Sequence, residues 1–271
     1  MQAYISLTDF TNWRVKMATQ AYDVINRINK QEKYSVFIAD DELTKQLCYK
    51  LRYDVFASEL GAELKNLETG IDKDRFDDHC QHVVVYDNNT SELVATTRLL
   101  DNAGREKTGM FYSETEFNLD NILNSDAKFM EVGRTCIHPA YRRGAVLALL
   151  WHGIAGEIIS KNIDYLIGCA SIPVSNGEKY ITSVMKNIYK YYYAPKSLRV
   201  EPLVPLRLCL DEPQPDNVIL PTLLKGYLRQ GALICGNPYW DAAFGVADVF
   251  VLLESSQISN RYTKHFINNK V

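Results

Sequence analysis

The spacing of apolar residues along the chain predicts alternating helices and strands. Residues 140–159 carry the strongest helical pattern, and β-branched runs on either side of Asn88-Asn89-Thr90 predict a hairpin. The predicted helices cover residues 7–28, 41–60, 140–159, 180–193, 220–229 and 256–266. The predicted strands cover residues 34–39, 82–86, 93–100, 129–137, 165–172, 206–210, 232–235 and 246–253. This order predicts an α/β (α+β layered) domain with a mixed sheet.

The chain shows neither an internal repeat nor a low-complexity linker. We therefore expect residues 1–271 to form a single domain, with a helical extension at 1–33 and a core at 34–271.

Composition narrows the class of protein. Apolar residues make up 46% of the chain and charged residues 23%, which excludes a disordered chain. Six cysteines without a CxxC pair predict free thiols in a reducing compartment, and the histidines lack metal-ligand spacing, so we expect no metal site. The apolar run Val146–Ile154 is too short to span a membrane, and the N-terminus lacks a secretion signal. We therefore expect a cytoplasmic protein.

Charge is distributed unevenly along the chain. The net charge is −3, yet residues 134–209 carry ten Lys or Arg against four Asp or Glu. A basic region on an acidic protein attracts anionic partners, such as a phosphate-bearing group, an acidic protein or an anionic membrane. Nucleic acid is not expected, because binding it requires many cationic contacts.

Several charged residues stand in or beside apolar elements, where core packing does not explain them. They are Arg52, Glu59, Asp72, Asp74, Asp77, Arg98, Glu131 and Arg134. Because Glu131 and Arg134 are three apart in a predicted strand, we expect them on opposite faces. Each residue alone is typical of a structural ion pair, but together they predict a polar pocket at the ends of neighbouring strands.

The segment FMEVGRTCIHPAYRRGAVLALLWHGI at Phe129–Ile154 resembles the haemolysin-like branch of the GNAT acyltransferases. RYDVF at Arg52–Phe56 and DRFDDH at Asp74–His79 are similar to the beginning of that family. Leu223–Leu253 and RYTKHF at Arg261–Phe266 are similar to its later part. The resemblance covers about residues 45–266 and implies a splayed GNAT-like sheet flanked by helices.

The same family is similar to acyl-homoserine lactone synthases and N-acyl amino acid synthases. Their shared pattern falls on Arg52, Phe56, Asp72, Asp74, Asp77, Arg98, Glu131 and Arg134. Glu131 is the candidate base that removes a proton from the acceptor amine. Arg98 and Arg134 suit the acceptor carboxylate, or orient the acidic residues. Asp74 and Asp77 either attract a cationic side chain of the acceptor or hold Arg52 in place.

The predicted donor site is the loop before the strongest helix. It consists of Tyr141, Arg142, Arg143, Gly144 and Ala145. Ordinary GNAT enzymes bind a pyrophosphate there through R/Q-x-x-G-x-G/A, whereas this chain has Tyr141 at the first position and Val146 at the last. The helix N-terminus and the arginines still suit one phosphate. This departure favours a phosphopantetheine arm on acyl carrier protein over free coenzyme A, with no tightly bound cofactor.

The resemblance implies transfer of a (3-hydroxy)fatty acyl chain from acyl carrier protein to the α-amine of an amino acid. Ornithine is the first expectation, with lyso-ornithine lipid as product. Two alternatives stay open: another acceptor amino acid, or a non-catalytic membrane-active protein. The aromatic and basic helix at Tyr180–Tyr193 also suggests peripheral membrane contact.

Overall fold

The computed structural model describes residues 33–59, 70–142, 145–208 and 218–258. Its main sheet has the strand order β1-β2-β3-β5-β6-β10-β8, and β9 also pairs with β10. These strands are β1 (Tyr34–Ile38), β2 (Gln81–Asp87), β3 (Glu92–Asp101), β5 (Phe129–Ile137), β6 (Tyr165–Pro173), β8 (Leu233–Ile234), β9 (Tyr239–Asp241) and β10 (Val246–Glu254). A second sheet pairs β4 (Phe117–Asn118) with β7 (Glu201–Pro202). The predicted mixed α/β class is confirmed.

Helices cover both faces of the sheet. They are α1 (Glu42–Tyr53), α2 (Asn102–Thr108), α3 (Asp120–Leu123), α4 (Val146–Lys161), α5 (Glu178–Tyr191) and α6 (Thr222–Arg229). Strand β2 shows the two faces: Val83 and Val85 pack in the cluster that contains α4, α5 and α6, whereas Val84 packs with Tyr49 of α1. This alternation is what a strand buried on both sides requires.

The structure confirms the main predicted elements and corrects others. The hairpin around residues 88–90 is present as β2 and β3. Helix α4 begins at Val146 rather than at 140, because Pro139–Tyr141 form a 3₁₀ turn. The strand predicted for residues 206–210 is wrong at 206–208, which lie in an irregular segment. The helix predicted for residues 7–28 and most of that for 256–266 lie outside the described residues.

One pair of strands differs from the rest of the main sheet. Strands β5 and β6 are parallel, as their crossover through the long helix α4 allows, whereas the other pairs are antiparallel. Their pairing ends at Glu131 opposite Ile167. Next to this point the backbone of Gly168 contacts the Val132 carbonyl so closely that a Cβ would clash with it. Beyond it the two strands separate, which opens the sheet.

The proposed membrane helix corresponds to α5. Its residues Ile181, Val184, Met185 and Ile188 are buried in the main core, so its apolar face lies against the sheet. Within the described ranges, no helix combines the length and apolar character needed to cross a membrane. Peripheral membrane contact stays a prediction.

Candidate active site

A cavity of about 390 Å³ lies where β5 and β6 separate. Both strands line it, β5 through residues 131–137 and β6 through residues 169–171. Part of the lining is apolar: Val55, Phe56, Ile137, Leu147, Leu223 and Tyr227. A second, small pocket of about 10 Å³ shares Leu147, Leu223 and Tyr227 with the cavity and is also lined by Leu150, Trp151 and Ile154 of α4. The cavity therefore offers backbone groups of a separated strand together with an apolar slot.

Three of the predicted site residues form the centre of a buried ion-pair network. The Arg52 guanidinium donates to Asp72 at 2.8 Å and, through two nitrogens, to Asp77 at 2.7 and 3.1 Å. Arg52 is 0% exposed. Burial alone would raise the pKa of Asp77, but Arg98 and Arg52 hold it well below its ordinary value. Asp77 is therefore ionised, and its charge is balanced within the network.

The network continues to the other predicted arginines. Arg98 donates to Asp74 at 2.7 Å and lies 3.3 Å from Asp77. Arg134 lies 3.3 Å from Asp72 and 3.4 Å from Asp74. Six sequence-predicted residues thus meet in space, as three arginines and three aspartates.

Only part of this group reaches the cavity. Arg134, Phe56 and Glu131 line it, whereas the lining does not include Arg52, Arg98 or the three aspartates of the network within the described ranges. Asp77 was expected either to attract a cationic side chain of the acceptor or to hold Arg52 in place, and the structure shows its contact with Arg52. Asp74 pairs with Arg98 and Arg134 instead. That these aspartates and Arg52 bind substrate stays a prediction; the contacts that the structure shows for them are ion pairs within the network.

The expectation that Glu131 and Arg134 point to opposite faces is wrong. Both side chains contact Tyr112: its N–H donates to Glu131, and the Arg134 guanidinium carbon lies 4.8 Å from the centre of its ring. Strand β5 contains a bulge: between Thr96 and Arg98 of β3, its partner positions move from Cys136 to Gly133, which adds one residue. Arg134 lies in this bulge with a left-handed backbone (φ +49°), rare for a residue with a side chain. The extra residue reverses the alternation and turns Arg134 towards Glu131.

The Arg134 side chain lies between two aromatic rings. Its guanidinium carbon is 4.8 Å from the centre of the Tyr112 ring and 5.0 Å from that of Phe244. Its Nε lies 3.3 Å from an Asp72 carboxylate oxygen without a hydrogen bond, and its Nη2 donates to Asp74 at 3.4 Å. Cation–π contacts hold the planar group in place, and a guanidinium carries five N–H donors, more than these two contacts use. Arg134 can therefore accept an anion from the cavity.

Glu131 is a buried carboxylate with ordered donors. Ser113 donates to Oε1 through its N–H at 2.7 Å and its hydroxyl at 2.5 Å, and the Tyr112 N–H donates to Oε2 at 2.7 Å. Burial raises the pKa of Glu131, although these hydrogen bonds oppose the shift. A carboxylate offers about four lone-pair sites, so Oε2 can accept one more hydrogen bond. Glu131 therefore anchors the turn Tyr112–Thr115, lines the cavity and retains an acceptor site.

Three acidic residues that are absent from the sequence-based predictions also line the cavity. Glu116, Asp241 and Asp248 place carboxylate oxygens within 4.8 Å of one another, and all three are buried. We call this group the acidic triad. The sequence gives one sign of the triad: Asp248 is an acidic residue inside the predicted strand at residues 246–253. Glu116 is more than a hundred residues away, and Asp241 ends the three-residue strand β9, which was not predicted, so the sequence pattern did not connect the three.

The acidic triad opposes folding at neutral pH. Burial raises the pKa of Asp248 to about 7, and the Asp241 carboxylate adds to the shift. Burial likewise raises the pKa of Glu116 well above its ordinary value, with Asp248 contributing. Because the folded state binds more protons than the unfolded chain between about pH 4 and 7, stability falls as pH rises through this window.

Asp248→Asn should therefore raise the melting temperature at about pH 8 and change it less at about pH 5, by about 2–4 °C for each kcal/mol recovered. Thermal unfolding followed by circular dichroism measures this. Asp126→Asn, which removes an exposed carboxylate, is the control and should show no such pH dependence. A lower melting temperature for Asp248→Asn at both pH values would contradict the account.

The predicted donor loop is described in part, since Arg143 and Gly144 lie outside the described residues. Arg142 is exposed, lines the cavity and donates from Nε to the Ile137 carbonyl at 3.2 Å. Tyr141 contacts the rings of Tyr34 and His138 and is not among the described lining residues. Ala145 precedes α4 and gives it no side-chain cap, so the first N–H groups of this helix suit an anion.

Comparisons with known proteins identify relatives of this chain in sequence and in fold. A family model described as "Acetyltransferase (GNAT) domain" matches residues 51–152. The sequence is 32% identical to an L-ornithine N(alpha)-acyltransferase of Brucella abortus over 90% of this chain and 91% of that protein. It is 30% identical to one of Rhizobium meliloti over 93% of this chain and 90% of that protein. FeeM, an N-acyl amino acid synthase from uncultured soil microbes, is similar in fold, with a TM-score of 0.51 and 10% identity over 84% of this chain and 93% of that one.

Proposed function

The chain belongs to the L-ornithine N(alpha)-acyltransferase family of the GNAT enzymes, and from that premise we propose that it acylates the α-amine of ornithine. The proposed donor is a (3-hydroxy)fatty acyl chain on acyl carrier protein, and the proposed product is lyso-ornithine lipid. The observation that carries this proposal is the cavity between β5 and β6, where a strand edge, an arginine and buried carboxylates meet an apolar slot.

The reaction joins the α-nitrogen of the amino acid to the carbonyl carbon of the thioester. The carbon–sulfur bond breaks, and the sulfur leaves as the thiol of the phosphopantetheine arm. Because the α-ammonium loses two protons and the sulfur gains one, one proton is released for each amide formed. A protonated amine cannot attack, so a base must act first.

Glu131 is the proposed base. Glu131 lines the cavity, its Oε2 retains an acceptor site, and burial raises the pKa of the carboxyl towards the range that a base needs near neutrality. Arg134, held between Tyr112 and Phe244, is placed to receive the α-carboxylate as a charge-assisted pair. The two side chains then bind opposite groups of the same α-carbon.

The strand edge is the proposed site of carbonyl activation. After Glu131, β5 no longer pairs with β6, whereas its pairing with β3 continues. Backbone N–H groups of β5 that face the gap can donate to the thioester oxygen as negative charge develops on it. A preorganised donor of this kind contributes about 10²–10³-fold to the rate.

A carrier-bound donor is supported by the charge and by the loop before α4. Residues 134–209 carry an excess of positive charge, and Lys179, Lys190 and Lys196 within them are exposed. Acyl carrier proteins are acidic, so such a surface attracts them. Arg142 stands at the cavity beside the uncapped helix end, where a single phosphate has donors.

The test uses the purified chain with 3-hydroxyacyl carrier protein, the matching acyl-coenzyme A, and a panel of amino acids. We expect mass spectrometry to detect N-acylornithine from the carrier protein donor. If lysine, glutamine or an aromatic amino acid is acylated in preference to ornithine, that amino acid is the acceptor instead. Absence of any acylated product with both donors would overturn the proposed function.

Arg142→Glu should raise the KM for acyl carrier protein and make the rate less sensitive to salt, because it removes an attractive charge at the cavity. Steady-state kinetics at two salt concentrations measure both effects. Lys128→Glu is the control: Lys128 is exposed and precedes β5, at the other end of that strand from the loop. An unchanged KM for Arg142→Glu would place docking elsewhere.

A further inference from the structure

The acidic triad of Glu116, Asp241 and Asp248 forms a part of the cavity that the proposed chemistry leaves unused. We propose that the triad binds the side-chain ammonium of the acceptor and thereby selects a diamino acid. This inference rests on the proposed function and adds to it the groups that recognise the acceptor's second amine.

The three carboxylates come from three separate parts of the fold. Glu116 follows the turn Tyr112–Thr115, Asp241 ends β9, and Asp248 lies within β10. Their exposed fractions are 3%, 8% and 4%. The hairpin of β9 and β10 brings the two aspartates together, and the glutamate follows the turn that Glu131 holds.

The triad contains acceptors without donors. Oε2 of Glu116 and Oδ1 of Asp248 are buried and lack a hydrogen-bond partner among the described residues. Asp241, by contrast, accepts from the N–H groups of Ala243 and Phe244 at 2.9 and 3.1 Å, which fixes its position. Buried acceptors without partners are costly, and a ligand that supplies N–H donors removes that cost.

A primary ammonium matches this arrangement. It carries one positive charge and three N–H donors on a single atom, and the triad presents oxygens from three carboxylates around one space. Charge-assisted hydrogen bonds between ammonium and carboxylate are about twice as strong as neutral ones. The triad is therefore complementary to an aliphatic amine in both charge and geometry.

The triad suits the amine that is not acylated. Nearby carboxylates stabilise an ammonium and raise its pKa, which keeps the nitrogen protonated. The attacking nitrogen has to be neutral, so three carboxylates around it would slow the reaction. Glu131 offers a single acceptor site to the α-amine instead. The α-amine thus lies at Glu131, the α-carboxylate at Arg134 and the distal ammonium at the triad.

The experiment compares L-ornithine with L-norvaline, which has the same carbon chain without the distal amine. With the wild-type chain and acyl carrier protein donor, we expect kcat/KM for ornithine to exceed that for norvaline by about 10²-fold or more, because an absent ligand amine leaves the site's buried polar groups unpaired. Asp248→Asn should lower kcat/KM for ornithine about 10–100-fold and leave that for norvaline within about twofold.

Glu116→Gln is the second triad variant, and Asp126→Asn, which removes an exposed carboxylate, is the control. Equilibrium dialysis of labelled ornithine without a donor gives a readout that does not depend on turnover. Wild-type use of both amino acids at equal rates would overturn the inference and leave the proposed function intact. Equal loss of ornithine and norvaline activity in both triad variants would also overturn it.

A bound divalent cation is the competing occupant of three carboxylates. If a divalent cation occupies the triad, the cation alone should raise the melting temperature of the donor-free chain. A chelator should then abolish acylation of ornithine and norvaline together. We expect neither result. Observing both would assign the triad to a metal and contradict its role in binding an ammonium.

Discussion

Glu131→Gln should lower kcat for ornithine acylation by about 10²–10⁴-fold, the usual contribution of a positioned base. The reason is that Glu131 lines the cavity and its Oε2 still has an acceptor site after Ser113 and Tyr112 have donated to the carboxylate. The amide of glutamine cannot take a proton near neutral pH. Because burial raises the pKa of Glu131, wild-type kcat/KM should rise with pH through that raised value, and the variant should lose this dependence.

A structural role for Glu131 gives a different result. Ser113→Ala removes one donor to Oε1 and keeps the carboxylate, so it should reduce kcat by about tenfold or less, since one hydrogen bond contributes ~1 kcal/mol. Thermal unfolding of both variants shows whether the turn remains folded. If Glu131→Gln weakens donor binding as much as it lowers kcat, and the pH dependence persists, the glutamate only positions the turn.

Asp77→Asn should destabilise the fold by about 3–5 kcal/mol at neutral pH, the usual result of removing one partner from a buried ion pair. Asp77 balances Arg52 and Arg98, both of which are buried, and asparagine would leave their charge uncompensated. The pKa of Asp77 in the folded state lies below its unfolded value. The stability that it contributes is therefore present above about pH 4 and decreases as pH falls towards the folded pKa.

Urea denaturation at neutral and acidic pH measures this contribution. The matched control is Asp78→Asn, next in the chain, whose side chain is 63% exposed and pairs with Lys73. An exposed pair contributes about 0–1 kcal/mol, so this variant should remain close to wild type. Similar stabilities for the two variants would show that the network does not support the fold as described.

The elements and the ion-pair residues were predictable because local patterns encode them. Strands such as β10 are mostly apolar runs, and charged residues such as Arg52 and Arg98 stand out against an apolar background. The resemblance to a family added the link between the N-terminal part of the chain and the segment around Glu131. The sequence pattern does not identify the partner of each charged residue. An ion pair between residues 20 or more positions apart, such as Arg52 with Asp72, depends on the packed fold.

Two parts of the site could not be predicted from local pattern. The left-handed residue of the bulge is Arg134 rather than the neighbouring Gly133, and strict alternation placed the arginine on the wrong face. The acidic triad joins a turn at residue 116 to strands that begin at 239 and 246, and only the sheet brings them together. Both features depend on strand register, which is determined by contacts along whole strands and not by any short segment of the sequence.

The most direct measurement is the rate of ornithine acylation by Gly133→Leu relative to Gly133→Ala. Gly133 lines the cavity on β5, its backbone φ is not positive, and a Cβ added there meets nothing within 4 Å. Alanine should therefore keep the wild-type rate. Leucine should occupy part of the cavity and lower the rate by about 10²-fold or more, with an unchanged melting temperature. A folded Gly133→Leu chain that acylates ornithine as fast as Gly133→Ala would show that transfer takes place outside this cavity.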